Sequence, residues 1–78
     1  MGPVEDRGRS RLLLRMPAWR VELQRVTTPE FLEVCEAYEL VWDAIMAFER
    51  IDATDQAAEF RELADFLEVE ALSIALQH

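Results

Sequence analysis

A nucleophilic catalytic site needs a side chain that can remove a proton, and this chain offers almost none. It contains one cysteine, Cys35, and one histidine, His78, which is the last residue. It has no lysine, because all eight basic residues are arginine. A nucleophile with a base close to it in the sequence is therefore missing. We expect a protein that is not an enzyme and that uses no cofactor.

Carboxylates are abundant and could serve a second kind of chemistry. Glu36, Glu39 and Asp43 are spaced by three and four residues, which places them on one side of a helix without a cation among them. Metal sites of this type usually gather ligands from loops or several helices, often with histidine, so we expect no metal site. Two interpretations remain open: a solvated face that maintains solubility, or a docking surface for a basic partner.

The charges of the two ends of the chain have opposite signs. Six of the eight arginines precede Val26, and thirteen of the sixteen acidic residues follow it, although the whole chain has a net charge of −8. Residues 1–15 contain Arg9, Arg11 and Arg15 together with two glycines. We expect this segment to be a flexible basic arm, with those three arginines as the candidate contacts to nucleic acid.

The arm and the segments after it suggest one alternative function. An Arg-rich segment, a short element, the Thr27-Thr28 turn and a longer helix follow each other in an order that resembles the strand, helix, helix order of dimeric ribbon-helix-helix DNA binders. That resemblance implies a dimeric DNA-binding or antitoxin-type regulator. Leu12, Leu13 and Leu14 depart from it, since three adjacent leucines do not alternate as a groove-reading strand does.

The rest of the chain, residues 16–78, is predicted to be a single helical domain. No glycine or proline follows Pro29, so the two strongest helix breakers are absent from the body. Thr27 and Glu30 have the spacing of a capping box, and apolar residues then recur every three or four positions, which predicts a helix over about 29–51. The run Asp52-Ala53-Thr54-Asp55 ends it, and a second helix is predicted over about 55–76.

Two shorter segments are ambiguous. Residues 18–26 fit a short helix that begins at Pro17, or a strand in which Trp19, Val21 and Leu23 alternate with polar residues. Residues 66–76 are so apolar that a buried strand is an alternative to the second helix, although few of them are β-branched. The fold class that we predict is all-α: an antiparallel two-helix hairpin, or three helices, with the flexible arm.

A chain of 78 residues buries too little surface to be very stable by itself, and its single cysteine excludes an internal disulfide. One neighbouring helix also cannot cover both sides of the apolar second helix. We therefore expect an oligomer or a partner protein on the outer side of that helix. The candidate anchors are Phe66, Val69, Leu72 and Leu76 on that helix, together with Trp42 on the first helix.

These observations together indicate a small protein that works by contact. We predict an interaction or assembly module, such as an adaptor, an assembly chaperone or a structural subunit of a bacterial or phage complex. The longest uninterrupted apolar run of the basic segment, Leu12–Leu14, is too short for a signal peptide or a membrane span. With one unpaired cysteine, the chain fits a reducing compartment, so we expect a cytoplasmic protein without a membrane partner.

Overall fold

The computed structural model describes residues 3–77, and these residues form helices and short connections only. The helices are α1 (Pro3–Arg15), a turn of 3-10 helix (Pro17–Trp19), α2 (Arg20–Arg25), α3 (Pro29–Arg50) and α4 (Thr54–Leu76). The prediction of an all-α fold is confirmed, and no strand occurs in this part of the chain. The described residues form four α-helices, where the sequence predicted two or three.

The basic N-terminal segment differs most from its prediction as a flexible arm. Its described part is the helix α1, which packs against α3 and buries Leu12 completely. Arg7, Arg11 and Arg15 recur every four residues and so lie on one face of this helix. Their cationic groups meet carboxylates of α3 and α4, and this pairing holds the segment in place. Residues 1 and 2 of the predicted arm lie outside the described range.

Gly8 allows α1 to approach α3 closely. It is buried, and a methyl group on its α-carbon would overlap the backbone carbonyl of Cys35. A glycine in a helix ordinarily lowers helix stability by about 1 kcal/mol relative to alanine. Here it removes the side chain that would separate two backbones, so the residue that suggested a disordered arm is instead a packing residue.

Residues 17–25 resolve the first ambiguity in favour of the helix. Pro17 begins the 3-10 turn, and α2 continues from it. The strand alternative for this segment is wrong, because Leu23 and Val26 are buried at helical spacing. Trp19, an apolar member of the strand alternative, lies at the surface and is more than one-third exposed.

Helix α3 is the central element, because α1 packs on one of its sides and α4 on another. Its N-cap is Thr28, whose side-chain oxygen accepts a hydrogen bond from the Phe31 amide at 3.3 Å, so the cap lies one residue after the Thr27 that the capping box predicted. Phe31, Tyr38 and Ile45 are spaced by seven residues and are completely buried. This heptad spacing is typical of helices that pack lengthwise.

The connection between α3 and α4 is a Schellman-type turn. The Asp52 amide donates to the Glu49 carbonyl at 3.2 Å, and the Ala53 amide donates to the Phe48 carbonyl at 2.9 Å. Asp52 has a φ of 59°, in the left-handed region where glycine is usual and aspartate is tolerated. This short turn makes α3 and α4 antiparallel neighbours.

Helix α4 turns small residues toward the core. Ala57, Ala64 and Ala71 are buried and lie seven residues apart, and Ala75 is buried one turn further on. The strand alternative for residues 66–76 is therefore wrong. Because alanine side chains are short, α4 lies close to α3, and its larger apolar side chains are left for the flanks and the outer side.

The close approach at Gly8 yields a stability prediction. Gly8→Ala should lower the free energy of unfolding by about 1–3 kcal/mol, since the added methyl group meets backbone and cannot be accommodated by a rotamer change. Urea unfolding followed by circular dichroism measures this. The matched control is Ser10→Ala at an exposed position of the same helix. A Gly8→Ala protein that is more stable than the parent, as helix propensity alone would make it, would contradict the close packing of α1.

Candidate protein-binding surface

Three large apolar side chains form a stripe on the outer side of α4. Phe66 is 60% exposed, Val69 69% and Leu76 54%. Their spacings of three and seven residues place them on one side of the helix, opposite the buried alanines. Leu63, 42% exposed, lies at the edge of this stripe. We call these four residues the α4 stripe. Helix α4 is thus apolar on two opposite sides, of which only one is covered.

Two further residues proposed as anchors lie elsewhere. Leu72 is only half-buried on a flank of α4, beside the stripe and not within it. Trp42 is half-buried on α3 and faces α1, where the guanidinium carbons of Arg11 and Arg15 lie 5.9 Å and 6.0 Å from the centre of its ring. Cation–π contacts of this kind hold the indole within the fold. Trp42 therefore contributes to the packing of α1 and does not extend the stripe.

The rim of the stripe is acidic. Glu62 and Glu70 lie one turn before and one turn after Phe66, on the stripe itself, Glu59 lies one turn before Leu63, and Asp65 lies at the border; all four are exposed. The only basic residue of α4 is Arg61, which forms its ion pair with Glu49 of α3 and is thereby directed away from this face. Phe66, Val69 and Leu76 were among the anchors predicted from the sequence, whereas Leu63 and Glu62 were not.

The acidic cluster predicted on α3 is divided by the fold. Glu36 and Asp43 are exposed, whereas Glu39 is 3% exposed and lies between α3 and α1. Its carboxylate accepts a hydrogen bond from Arg11 Nε at 2.6 Å and lies 3.8 Å from Arg7 Nε. Glu39 is consequently part of the internal packing, and only the other two carboxylates face solvent.

The three arginines proposed to contact nucleic acid all contact the protein itself. Arg9 donates to the Leu23 and Gln24 carbonyls at the end of α2, at 2.8 Å and 3.1 Å, and its guanidinium carbon lies 5.1 Å from the centre of the Phe31 ring. Arg11 pairs with Glu39, and Arg15 pairs with Glu68 at 3.1 Å. These contacts satisfy carbonyls and carboxylates that would otherwise lack donors.

A polar network links α1, α3 and α4 near the middle of the molecule. The Tyr38 hydroxyl donates to Glu68 Oε2 at 2.6 Å, and Arg15 Nε donates to the same oxygen. Burial, together with the hydrogen bond to Glu68, raises the pKa of Tyr38 to about 12, and the Glu68 hydrogen bond raises the pKa of Arg15. The Trp42 indole N–H lies near enough to the phenol oxygen to oppose the rise in pKa, yet it makes no hydrogen bond of normal geometry.

A shallow cleft opens beside this network. Its volume is about 150 Å³, and Arg11, Leu14, Arg15 and Trp42 line it. Both arginines are already paired with carboxylates, and Leu14 is 75% exposed. The cleft is smaller than the roughly 300–1,000 Å³ of typical small-molecule sites. We therefore take the α4 stripe as the candidate site.

The remaining reactive side chain is buried. Burial raises the pKa of the Cys35 thiol to about 11, which keeps it protonated and unreactive near neutral pH. Among residues 3–77, no three histidine, cysteine or acidic side chains come together where they could hold a metal ion. The helices of the same residues include none with the length and hydropathy needed to traverse a lipid bilayer.

Glu39 yields a prediction for the α1 contact. Glu39→Gln should lower the free energy of unfolding by about 1–3 kcal/mol, because the partly buried cation of Arg11 loses the carboxylate that compensates its burial. The control is Glu36→Gln, an exposed carboxylate on the same helix, which should change stability by less than about 0.5 kcal/mol. Equal effects of the two substitutions in urea unfolding would show that the buried pair contributes nothing specific.

Cys35 yields a prediction for the alkaline range. The unfolded chain releases the thiol proton near the ordinary pKa of 9.0, whereas the folded chain retains it up to about 11. The corresponding stability is fully present below pH 9 and is lost as the pH rises to 11. Cys35→Ala should therefore flatten the decline of the unfolding free energy in this interval. Tyr38→Phe is the control, since the raised pKa of Tyr38 affects only the range from pH 10 to 12. An unchanged slope in Cys35→Ala would contradict the burial of the thiol.

Comparison with known proteins does not supply a function for this surface. The chain matches no protein-family model, and no curated protein and no solved structure shows significant similarity to it. What the α4 stripe does must therefore be argued from its own geometry and charge.

Proposed function

We propose that this protein is a non-enzymatic protein-protein interaction module that binds its partner through the outer side of α4. The observation that carries the proposal is the α4 stripe, in which three large apolar side chains are more than half exposed opposite a packed alanine face. A scattered exposed leucine is ordinary in a soluble protein, but an aligned set on one helix is typical of an interface.

The way α4 divides its side chains between core and surface supports this function. Its fully buried residues are alanines; Phe60, Leu67 and Ile74 pack half-buried at the margin of the core, and Phe66, Val69 and Leu76 face outward. A helix that served only to complete this fold would gain more stability by turning the large side chains inward. Phe66, Val69 and Leu76 contribute their burial energy only if a second surface covers them when the protein functions. Aromatic and aliphatic side chains are common anchors of such interfaces.

The class of protein that we propose is a small adaptor, assembly chaperone or structural subunit of a bacterial or phage complex that acts in the cytoplasm. The single buried cysteine supports a reducing compartment.

The DNA-binding alternative has less support. A phosphate contact by Arg9, Arg11 or Arg15 would have to replace contacts to two backbone carbonyls, Glu39 or Glu68. The acidic body would also repel the duplex. The three arginines proposed for this function are all engaged within the fold.

The proposal predicts a crosslink at a defined position. A photo-crosslinking amino acid in place of Val69, in the cells that naturally produce the protein, should give one discrete adduct when irradiated, because the partner covers this position. The matched control carries the same amino acid at Leu40, which is 55% exposed on α3. Gel electrophoresis followed by mass spectrometry measures the adduct and identifies its second component.

A second substitution shows whether the stripe itself is responsible. Phe66→Ser in the chain that carries the Val69 probe should remove the adduct while the helical circular dichroism signal persists, since Phe66 is not part of the core. Adducts of equal yield from Val69 and Leu40, or an adduct that survives Phe66→Ser, would refute binding through α4.

A further inference from the structure

We infer that the occupant of the α4 stripe is a basic amphipathic helix of another protein, and that a second copy of this chain does not fill the role. This inference rests on the proposed function and names the chemistry of the partner. Its basis is the charge around the stripe: Glu59, Glu62, Asp65 and Glu70 are exposed there, and α4 places no cation among them.

Glu62 imposes the strongest requirement on the partner. It lies one turn before Phe66 on the stripe, so a surface that covers Phe66 also removes water from the Glu62 carboxylate. A carboxylate that loses water without gaining a cation or strong hydrogen-bond donors is strongly destabilised. An arginine or a lysine of the partner meets this requirement most fully, because it supplies both the charge and the donors.

A second copy of the chain cannot meet this requirement from the same face. Its own stripe has the same carboxylates and the same lack of cations, since Arg61 is engaged with Glu49. Two chains that each have a net charge of −8 also repel each other before contact. A positively charged partner is attracted to this face during its approach and again in the bound complex.

The apolar contacts alone are too few for firm binding. Burial of the exposed parts of the four side chains of the stripe favours binding, but the area that they offer is small. The loss of translational and rotational freedom on association opposes it, so the apolar contacts alone give a low affinity. Ion pairs of the partner with Glu62 and with the acids at the rim of the stripe are the contacts on this face that can raise the affinity.

The shape of the face favours a helix as the binding element. The stripe runs along α4 from Leu63 to Leu76. It is narrow, and acidic residues lie on it and along its borders. An amphipathic helix with apolar residues every three or four positions and basic residues on both flanks matches this pattern side chain by side chain. It would lie beside α4 in the way that α3 lies on the opposite side.

Two synthetic peptides test the inference. Both are helical and carry the same leucine stripe, but one has lysines on its flanks and the other has glutamates. In fluorescence anisotropy with the complete chain, the lysine peptide should bind at least roughly tenfold more tightly than the glutamate peptide, and raising the salt concentration should weaken it. Equal affinity of the two peptides would overturn the inference.

Variants of the protein separate the stripe from simple attraction to an acidic molecule. Phe66→Ser and Glu62→Lys should each weaken the lysine peptide by roughly tenfold or more, since each removes one contact of the complex. The matched controls are Leu40→Ser and Glu36→Lys, which change an exposed apolar residue and an exposed acid on α3. If Glu36→Lys weakened binding as much as Glu62→Lys, the peptide would be responding only to net charge.

Light scattering completes the test. The complete chain should have a monomeric mass, and a stable dimer that Phe66→Ser dissociates would identify a second copy as the occupant and overturn the inference. The proposed function has a separate readout: a discrete Val69 adduct together with peptides that bind equally would disprove the basic helix but leave the interaction module. If no adduct formed and neither peptide bound, both the interaction module and the basic helix would be disproved.

Discussion

The fold depends on the pairing of the buried Glu39 carboxylate with a cation, because this pairing determines how the N-terminal half of the chain packs. Glu39 is almost completely buried on α3, and a buried carboxylate is tolerated only with compensating donors. Arg11 and Arg7 supply them from α1. Gly8, on the same helix, lets the two backbones come close enough for these contacts to form. Four of the six arginines before Val26 thus make their contacts within the molecule, whereas most of the acids after it have no such partner.

This internal pairing determines which surfaces remain for a partner. Arg9 contacts backbone carbonyls, Arg11 pairs with Glu39, and Arg15 pairs with Glu68. The basic segment therefore stabilises the fold. The carboxylates on the outer side of α4 have no comparable cations, and they surround an apolar stripe. The molecule therefore presents one face with both exposed apolar side chains and uncompensated negative charge, and the proposed function is assigned to that face.

The sequence predicted what depends on local periodicity. The all-α class, the two long helices and the stripe of Phe66, Val69 and Leu76 all follow from apolar spacing, and the structure has helices Pro29–Arg50 and Thr54–Leu76. It could not predict α1, because Gly8 acts as a helix breaker in isolation and as a packing residue only beside the Cys35 carbonyl. The four-residue spacing of Arg7, Arg11 and Arg15 was the available signal. Trp42 and Glu39 were assigned to a partner because the spacing of residues in the sequence does not reveal where α1 packs. The surface that covers both side chains is α1.

Amide hydrogen exchange on the 78-residue chain measures directly whether the basic segment is a docked helix that neutralises Glu39 of α3. The amides around Leu12, which is completely buried, should exchange slowly and at rates close to those of the α3 residues that they cover. Exchange of residues 4–15 at the rates of an unstructured peptide, with α3 and α4 still protected, would contradict this docking. The arginines would then be free for other partners, and Glu39 would have no cation.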